Sequence, residues 1–239
     1  MPRIVYQQVA EGQGNVVLRK GHFNSMFLVP TVTGPREVLV HNKQKSLCAA
    51  KIMVICLNEN AVLSQNLHPT NTLESLLMTL RLTGLQNFST MVLAADRPVT
   101  YFELPVEVTE NYQLEFPGGL QEGDEDSTMT ARREAIEEYG LKGEEDVIQW
   151  APLVNFPAAN DAGSNVELYT TYVMLVRRPP NPPAKEGIIP GKCWVGPLMQ
   201  VQSYLFEQGK QGVVVEWLAL AMVFHLGLAL HGGWSALKA

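Results

Sequence analysis

Between Gly119 and Leu141 the chain reads GLQEGDEDSTMTARREAIEEYGL, and one helical turn inside this stretch carries Glu134, Glu137 and Glu138. Residues spaced i, i+3 and i+4 project from one face of an α-helix. Two carboxylates about 4 Å apart repel by roughly 4 kcal/mol at an effective dielectric near 20, so such a face either lies in solvent or gathers around a cation. Acidic runs are common on solvated helix faces, and the three glutamates alone do not choose between the two. Their neighbours add to the argument. The helix spans about Ser127 to Tyr139 and is stopped by Gly140, the residue type that takes a left-handed conformation past a helix end. Pro117-Gly118-Gly119 lets the chain turn tightly with carbonyls directed toward the helix, and Arg133 can brace a carboxylate without losing its charge. Oxygen donors with no nearby His or Cys suit Mg2+, with Mn2+ as the alternative, and substrate phosphates can complete the shell of Mg2+.

The rest of the chain is able to house such a segment. Its 239 residues, 46% hydrophobic and 18% charged, predict a compact fold with one large domain, or a core domain with a smaller attachment. A formal net charge of -6 leaves no basic footprint for a nucleic-acid polymer. A small anionic substrate remains compatible, because a metal ion inverts the local sign of an acidic site. Three cysteines, an odd number with no CxxC pair, fit a reducing compartment. The opening MPRIVYQQVAEG lacks the basic stretch and apolar run of a secretory signal. Val213 to Leu230 is the most apolar segment, but Glu216 and His225 interrupt it, so it reads as a buried helix rather than a membrane span. A cytoplasmic protein with no membrane span is the expectation.

Short β-like runs at Ile4 to Val9, Val16 to Arg19, Met26 to Val29 and Glu37 to His41, separated by Gly, Asn and Pro, predict a β-rich attachment over 1–48. Residues 49–239 then alternate. A buried strand is expected over Ala50 to Leu57, and a helix over Asn71 to Leu82 with Asn71 as N-cap, Glu74 at its third position and Gly84 past its end. MVLAA, VTYFELPVEV and YQLEF read as strands before the helix at 127–139. After a connector, Val166 to Arg177 reads as a long strand. In the loop over 178–192, Pro179, Pro180, Pro182 and Pro183 fix an extended, donor-poor chain. It reads as a stiff surface loop, with a partner-binding proline motif as the alternative. Helices over Leu198 to Gln208 and Val213 to Leu230 close the chain. The alternation places the protein in the α/β class, without internal repeats.

The 119–141 segment resembles the Nudix box, whose pattern is a glycine, five residues, a glutamate, seven residues, Arg-Glu, an aliphatic, any residue, Glu-Glu, any residue, a glycine and an aliphatic. Every fixed position is matched, with Ala135 small for its aliphatic place. The resemblance implies an α/β/α sandwich around a mixed central β-sheet. It implies Mg2+-dependent hydrolysis of the diphosphate linkage in a nucleoside diphosphate derivative. It also implies that Glu134, Glu137 and Glu138, with the carbonyl of Gly118, bind the divalent ions, that Gly119 lies beside the substrate, that Arg133 orients the glutamates, and that Glu125 supports the metal site. The ions would polarise a phosphoryl oxygen and lower the pKa of a bound water.

Features outside the box are similar to the ADP-ribose pyrophosphatase subgroup. Pro157 lies sixteen residues beyond Leu141, Arg97-Pro98-Val99 and NYQLEFPGG precede the box, and the β-rich N-terminal region looks like the subgroup's dimerising domain. This implies ADP-ribose or a related ADP-sugar as substrate, AMP and a sugar phosphate as products, and a homodimer. Glu167 follows the loop NFPAANDAGSN, where many such enzymes carry a glutamate that activates water or completes the metal site. It is the candidate general base, with a plain surface carboxylate as its structural alternative and Glu107, Glu110 and Glu115 as rivals. Arg97 is a candidate phosphate contact or else a surface salt-bridge partner, and Pro157 a substrate-side residue or else an ordinary loop proline. Tyr101, Phe102, Phe156 and Tyr169 are candidate platforms for a base. Two competing functions stand beside this one: pyrophosphohydrolysis of nucleoside triphosphates or dinucleotides, and a catalytically idle Nudix domain serving as a binding or structural subunit. Three retained, mutually repelling glutamates speak against the idle domain.

Overall fold

The computed structural model describes residues 16–20, 24–29, 35–41, 48–64, 70–96, 112–141, 144–159, 166–177 and 187–231. The chain forms two compact units, residues 1–49 with 155–169, and residues 50–154 with 170–239. In the first, β1 (Val16–Lys20), β2 (Asn24–Val29) and β3 (Arg36–His41) make an antiparallel sheet with β2 in the middle. Pairing of β2 with β3 runs unbroken from Asn24 opposite His41 to Val29 opposite Arg36, whereas β1 carries an irregularity between Val17 and Arg19. These are three of the four β-like runs; Ile4 to Val9 lies outside the described residues.

The other sheet is mixed. Its main path runs β11 (Val214–Val215), β6 (Gln113–Glu115), β5 (Phe88–Ala95), β4 (Cys48–Leu57), β9 (Val166–Val176) and β8 (Val147–Ala159). Off that path, β7 (Gly118–Leu120) pairs with β4, and β10 (Trp194–Pro197) pairs with β5. The β4–β5, β5–β6 and β5–β10 pairs are antiparallel, while β6–β11 is parallel. Alternation along β4 explains why its sequence is a nearly continuous apolar run: both faces are covered. Met53, Ile55 and Leu57 join a core that includes Leu76, Leu77 and Leu80 of α1 (Leu73–Thr83), Val201 and Leu205 of α3 (Val201–Lys210), and Met222, Val223 and Leu226 of α4 (Trp217–Leu230). Ala50, Ile52, Val54 and Cys56 face the other way, onto Ala131, Ala135 and Tyr139 of α2 (Ser127–Tyr139). The result is the α/β/α sandwich that the resemblance implied.

Several local expectations are corrected. Thr72, not Asn71, caps α1: its hydroxyl accepts from the Ser75 amide at 3.2 Å, while the Asn71 side chain accepts from the Trp150 amide at 3.3 Å. The connector after the box contains β8, so Phe156 and Pro157 belong to a strand and not to a loop. Its prolines mask a run that otherwise favours strand. Leu198 to Gln200 is a 3₁₀ turn before α3. The expected final helix begins at Trp217, because Val214 and Val215 extend the sheet beside β6, and the Glu216 amide donates to Leu114 O at 2.9 Å. β-branched residues favour that extended entry. β10 was not anticipated. Residues 99–108, expected as a strand, and 178–186 of the proline-rich loop lie outside the described residues. Among the described residues, no helix is long and apolar enough to cross a membrane.

Candidate functional site

Three anchors place α2. At its start the Asp126 carboxylate accepts from the Met129 amide at 2.8 Å, an N-cap. The hydroxyl of Tyr172, on β9, lies 2.8 Å from Ser127 Oγ and 3.1 Å from Thr128 Oγ1, tying the first turn to the sheet. At the far end the buried Tyr139 hydroxyl donates to Met91 O at 2.6 Å, and Gly140 closes the helix with φ 63° and ψ 34°. Burial pushes the Tyr139 phenol well above its ordinary pKa, so it remains a neutral donor.

This docking turns Ala131, Ala135 and Tyr139 onto the sheet and carries Glu134 and Glu138, the residues beside them on the helix surface, into buried positions. Glu137 stands further out, with its side chain 43% exposed. The helix faces β7, where the two glycines earn their places sterically. A Cβ on Gly119 would lie 2.0 Å from Glu134 Oε1, and one on Gly118 would lie 2.5 Å from Ala50 O and 2.4 Å from Lys51 Cδ. The Gly118 amide donates to Glu138 Oε2 at 3.3 Å.

Arg133 organises the acidic groups. Its Nε donates to Glu125 Oε1 at 2.9 Å, one terminal nitrogen to Glu134 Oε1 at 2.7 Å, and the other to Leu120 O at 3.1 Å and Glu125 Oε2 at 3.3 Å. Glu137 Oε2 lies 3.6 Å from the same guanidinium. Glu125 further accepts from Thr130 Oγ1 at 3.1 Å and from the Glu122 amide at 3.2 Å, and Gln121 Nε2 donates to its carbonyl. The Arg133 bond holds the Glu125 carboxyl below its usual pKa, with the Glu122 amide and the Thr130 hydroxyl helping against partial burial. Burial opposes the Arg133 charge, but its bonds to Glu125 and Glu134 more than offset that, and its pKa lies above the ordinary value. Part of the positive charge expected among the glutamates is thus supplied by this arginine.

The donor set fits a hard divalent cation. It is all oxygen, two of its carboxylates are buried against β7, and the missing Cβ of Gly119 leaves the space into which Glu134 reaches. Among the described residues no three acidic, histidine or cysteine side chains converge at ligand spacing as they stand. The structure thus brings together Gly118, Gly119, Glu125, Arg133, Glu134, Glu137 and Glu138. Glu115 is fully buried, accepting from Gln113 Nε2 at 3.1 Å and lying 3.9 Å from Lys51 Nζ. Arg97, Tyr101, Phe102, Glu107 and Glu110 fall outside the described residues, as do the side chains of Phe156, Pro157, Glu167 and Tyr169. Glu167 itself is a residue of β9 in the first unit. Sequence reasoning missed Tyr172 and Lys51. The signal for the second was there, a lone charge inside the apolar run CAAKIMVICL.

No protein-family model and no curated protein matches the chain. Solved structures do. An ADP compounds hydrolase is similar at a TM-score of 0.51 and 12% identity, covering 92% of this chain and 94% of its own. A Nudix hydrolase from Nitrosomonas europaea has a TM-score of 0.45 and 12% identity over 77% of this chain and 90% of its own. For a C. elegans Ap4A hydrolase the values are 0.42 and 12%, over 77% and 98%. Of these three the first passes 0.5, and at its identity it establishes a shared fold. An α/β/α sandwich around a mixed central sheet is therefore the fold this chain shares with that hydrolase.

Proposed function

We propose that this chain is a Mg2+-dependent Nudix hydrolase that cleaves the diphosphate linkage of a nucleoside diphosphate derivative, with ADP-ribose or a related ADP-sugar as substrate and AMP and a sugar phosphate as products. The observation that carries the reading is the position of Glu134, buried against Gly119 and held by Arg133, which Glu125 holds in turn. A solvated acidic helix face needs neither a glycine cut away to admit a carboxylate nor an arginine fixed from behind. The shared fold agrees with the reading, and the ADP-sugar preference rests on the elements around Arg97 and Pro157.

Glu134, Glu137, Glu138 and the Gly118 carbonyl would hold Mg2+, or Mn2+ in its place. When bound, the ion polarises a phosphoryl oxygen and lowers the pKa of a bound water. The protein's own part is to keep its donors in place. Arg133 holds Glu134 Oε1, and the Gly118 amide holds Glu138 Oε2. Glu167 is assigned as the base that takes the proton of the attacking water, and Arg97 as a contact to substrate phosphate. Gly119 and Pro157 are assigned to the substrate side. The protein is read as a cytoplasmic homodimer that uses its N-terminal strands for pairing.

The test is a panel of ADP-ribose, NADH, diadenosine polyphosphates and nucleoside triphosphates, each assayed with Mg2+ and then with a chelator. AMP plus ribose 5-phosphate from ADP-ribose is the expected result. Release of inorganic pyrophosphate from triphosphates alone would replace the substrate, and turnover that survives the chelator would overturn the metal.

A further inference from the structure

Lys51 is a charged side chain in the middle of the sheet, only 8% exposed. Its ammonium donates to Phe116 O at 3.1 Å and pairs with Glu216 Oε1 at 2.9 Å, with Glu115 Oε1 at 3.9 Å. Removing these charges from water is costly, and a buried ion pair is often replaced by apolar residues with no loss of stability. Ala, Ile and Met surround Lys51 on its own strand, so an apolar residue would suit the core. It could not, however, donate to the Phe116 carbonyl.

That carbonyl belongs to the segment leading into the acidic site. The Ile52 amide, next along β4, donates to Pro117 O at 2.9 Å, and the Gly118 amide donates to Glu138 Oε2. Pro117 has no N–H of its own. The aliphatic stem of Lys51 also fills the space where a Gly118 Cβ would be. Two consecutive residues of β4 thus hold the backbone at 116 and 117 from one side, and α2 holds Gly118 from the other. Glu216 ties the same ammonium to the start of α4.

We infer that Lys51 is a positioning residue for the cation-binding edge of the site, setting the backbone at Gly118 through the Phe116 carbonyl. The inference rests on the divalent-ion site proposed above. Removing an outer partner of a metal ligand typically weakens binding by 10–100-fold, and the lower end is expected for a contact made through backbone.

The full chain is titrated calorimetrically with Mn2+, and thermal midpoints are measured in parallel. Lys51→Met combined with Glu216→Leu removes the pair without leaving Glu216 buried alone. It should bind Mn2+ about tenfold more weakly than wild type. Lys51→Arg keeps the charge but displaces the donor, and should fall between the two. Glu216→Gln retains the Lys51 bond to Phe116 O; it should lower the midpoint while binding Mn2+ as wild type does. Wild-type affinity in the double variant, or in Lys51→Arg if the double variant does not fold, overturns the role of Lys51 alone. A wild-type chain that binds no Mn2+ overturns the site itself, and this inference with it.

Discussion

Helices α2 and α4 cover opposite faces of one sheet with 13 and 14 residues, and they are held there by different physics. α4 buries Leu218, Ala219, Met222, Val223, Leu226 and Ala229, and holds no Asp, Glu, Lys or Arg. α2 buries three apolar side chains, Ala131, Ala135 and Tyr139, together with Thr130, Glu134 and Glu138. Its position depends on an aspartate cap, two tyrosine hydroxyls and an arginine. One helix stabilises the fold, and the other uses burial to hold charge in place. Mutations in the two should therefore separate stability from activity.

The widest separation is expected from Glu134→Gln. The amide keeps an oxygen for Arg133, so the thermal midpoint should shift little, while turnover of ADP-ribose with Mg2+ should fall by at least about 100-fold, more than loss of an outer partner would cost. Unchanged kcat would remove Glu134 from the chemistry and make α2 a helix like α4. The converse is Met222→Ala in α4, where Met222 is 1% exposed. Truncation there should cost about 2–5 kcal/mol, read as a lower denaturation midpoint. Activity well below that midpoint should remain. If Met222→Ala lowered activity without lowering stability, the division of labour would be wrong.

The two glycines of β7 sharpen the contrast further. At Gly119 the obstacle to a Cβ is the end of the Glu134 side chain, whereas at Gly118 it includes the backbone carbonyl of Ala50. Gly119→Ala should displace a carboxylate at little structural cost, and an ångström of misplacement is enough to lower turnover tenfold or more. Gly118→Ala must move backbone, and should lower the midpoint as well as the rate. Equal stability losses in the two would show that Glu134 is more rigidly held than its bonds to Arg133 imply.

The same contrast governs what was legible in the sequence. α2 was read with its bounds, from Ser127 to Tyr139, because its signals are local: a glycine after it and a fixed spacing within it. The start of α4 was missed for a nonlocal reason. Val214 and Val215 take an extended path only because β6 offers an edge to pair with, and no periodicity in the segment announces that partner. β10 depends likewise on β5, and β8 hid behind Pro152 and Pro157. Within the site, the glutamates were visible and their unequal burial was not. Glu134 and Glu138 lie on the edge that docks on the sheet, Glu137 outside it, and only the docking decides which edge that is. Arg133 was expected to brace the glutamates, but its grip on Glu125, eight residues earlier, depends on how the loop from Gln121 to Asp126 folds back.

That grip supplies the smallest effect and a test by pH. Glu125 and Arg133 are partly exposed, with side chains at 18% and 21%, so the pair should contribute no more than about 1 kcal/mol. The folded pKa of Glu125 is depressed, with its bond to Arg133 as the largest cause. A group of this kind stabilises the fold fully above its unfolded pKa, near 4.3 for a glutamate, and the contribution is lost as pH falls through the lower folded value. Glu125→Gln should therefore lower the midpoint most at neutral pH, and the gap to wild type should close as the pH drops below about 4. At neutral pH the same variant frees one side of Arg133, so turnover should fall while the midpoint shifts by only a few degrees. A stability gap that stayed constant down to pH 3 would mean that packing, not charge, holds Glu125, and α2 would then rest on the same physics as α4.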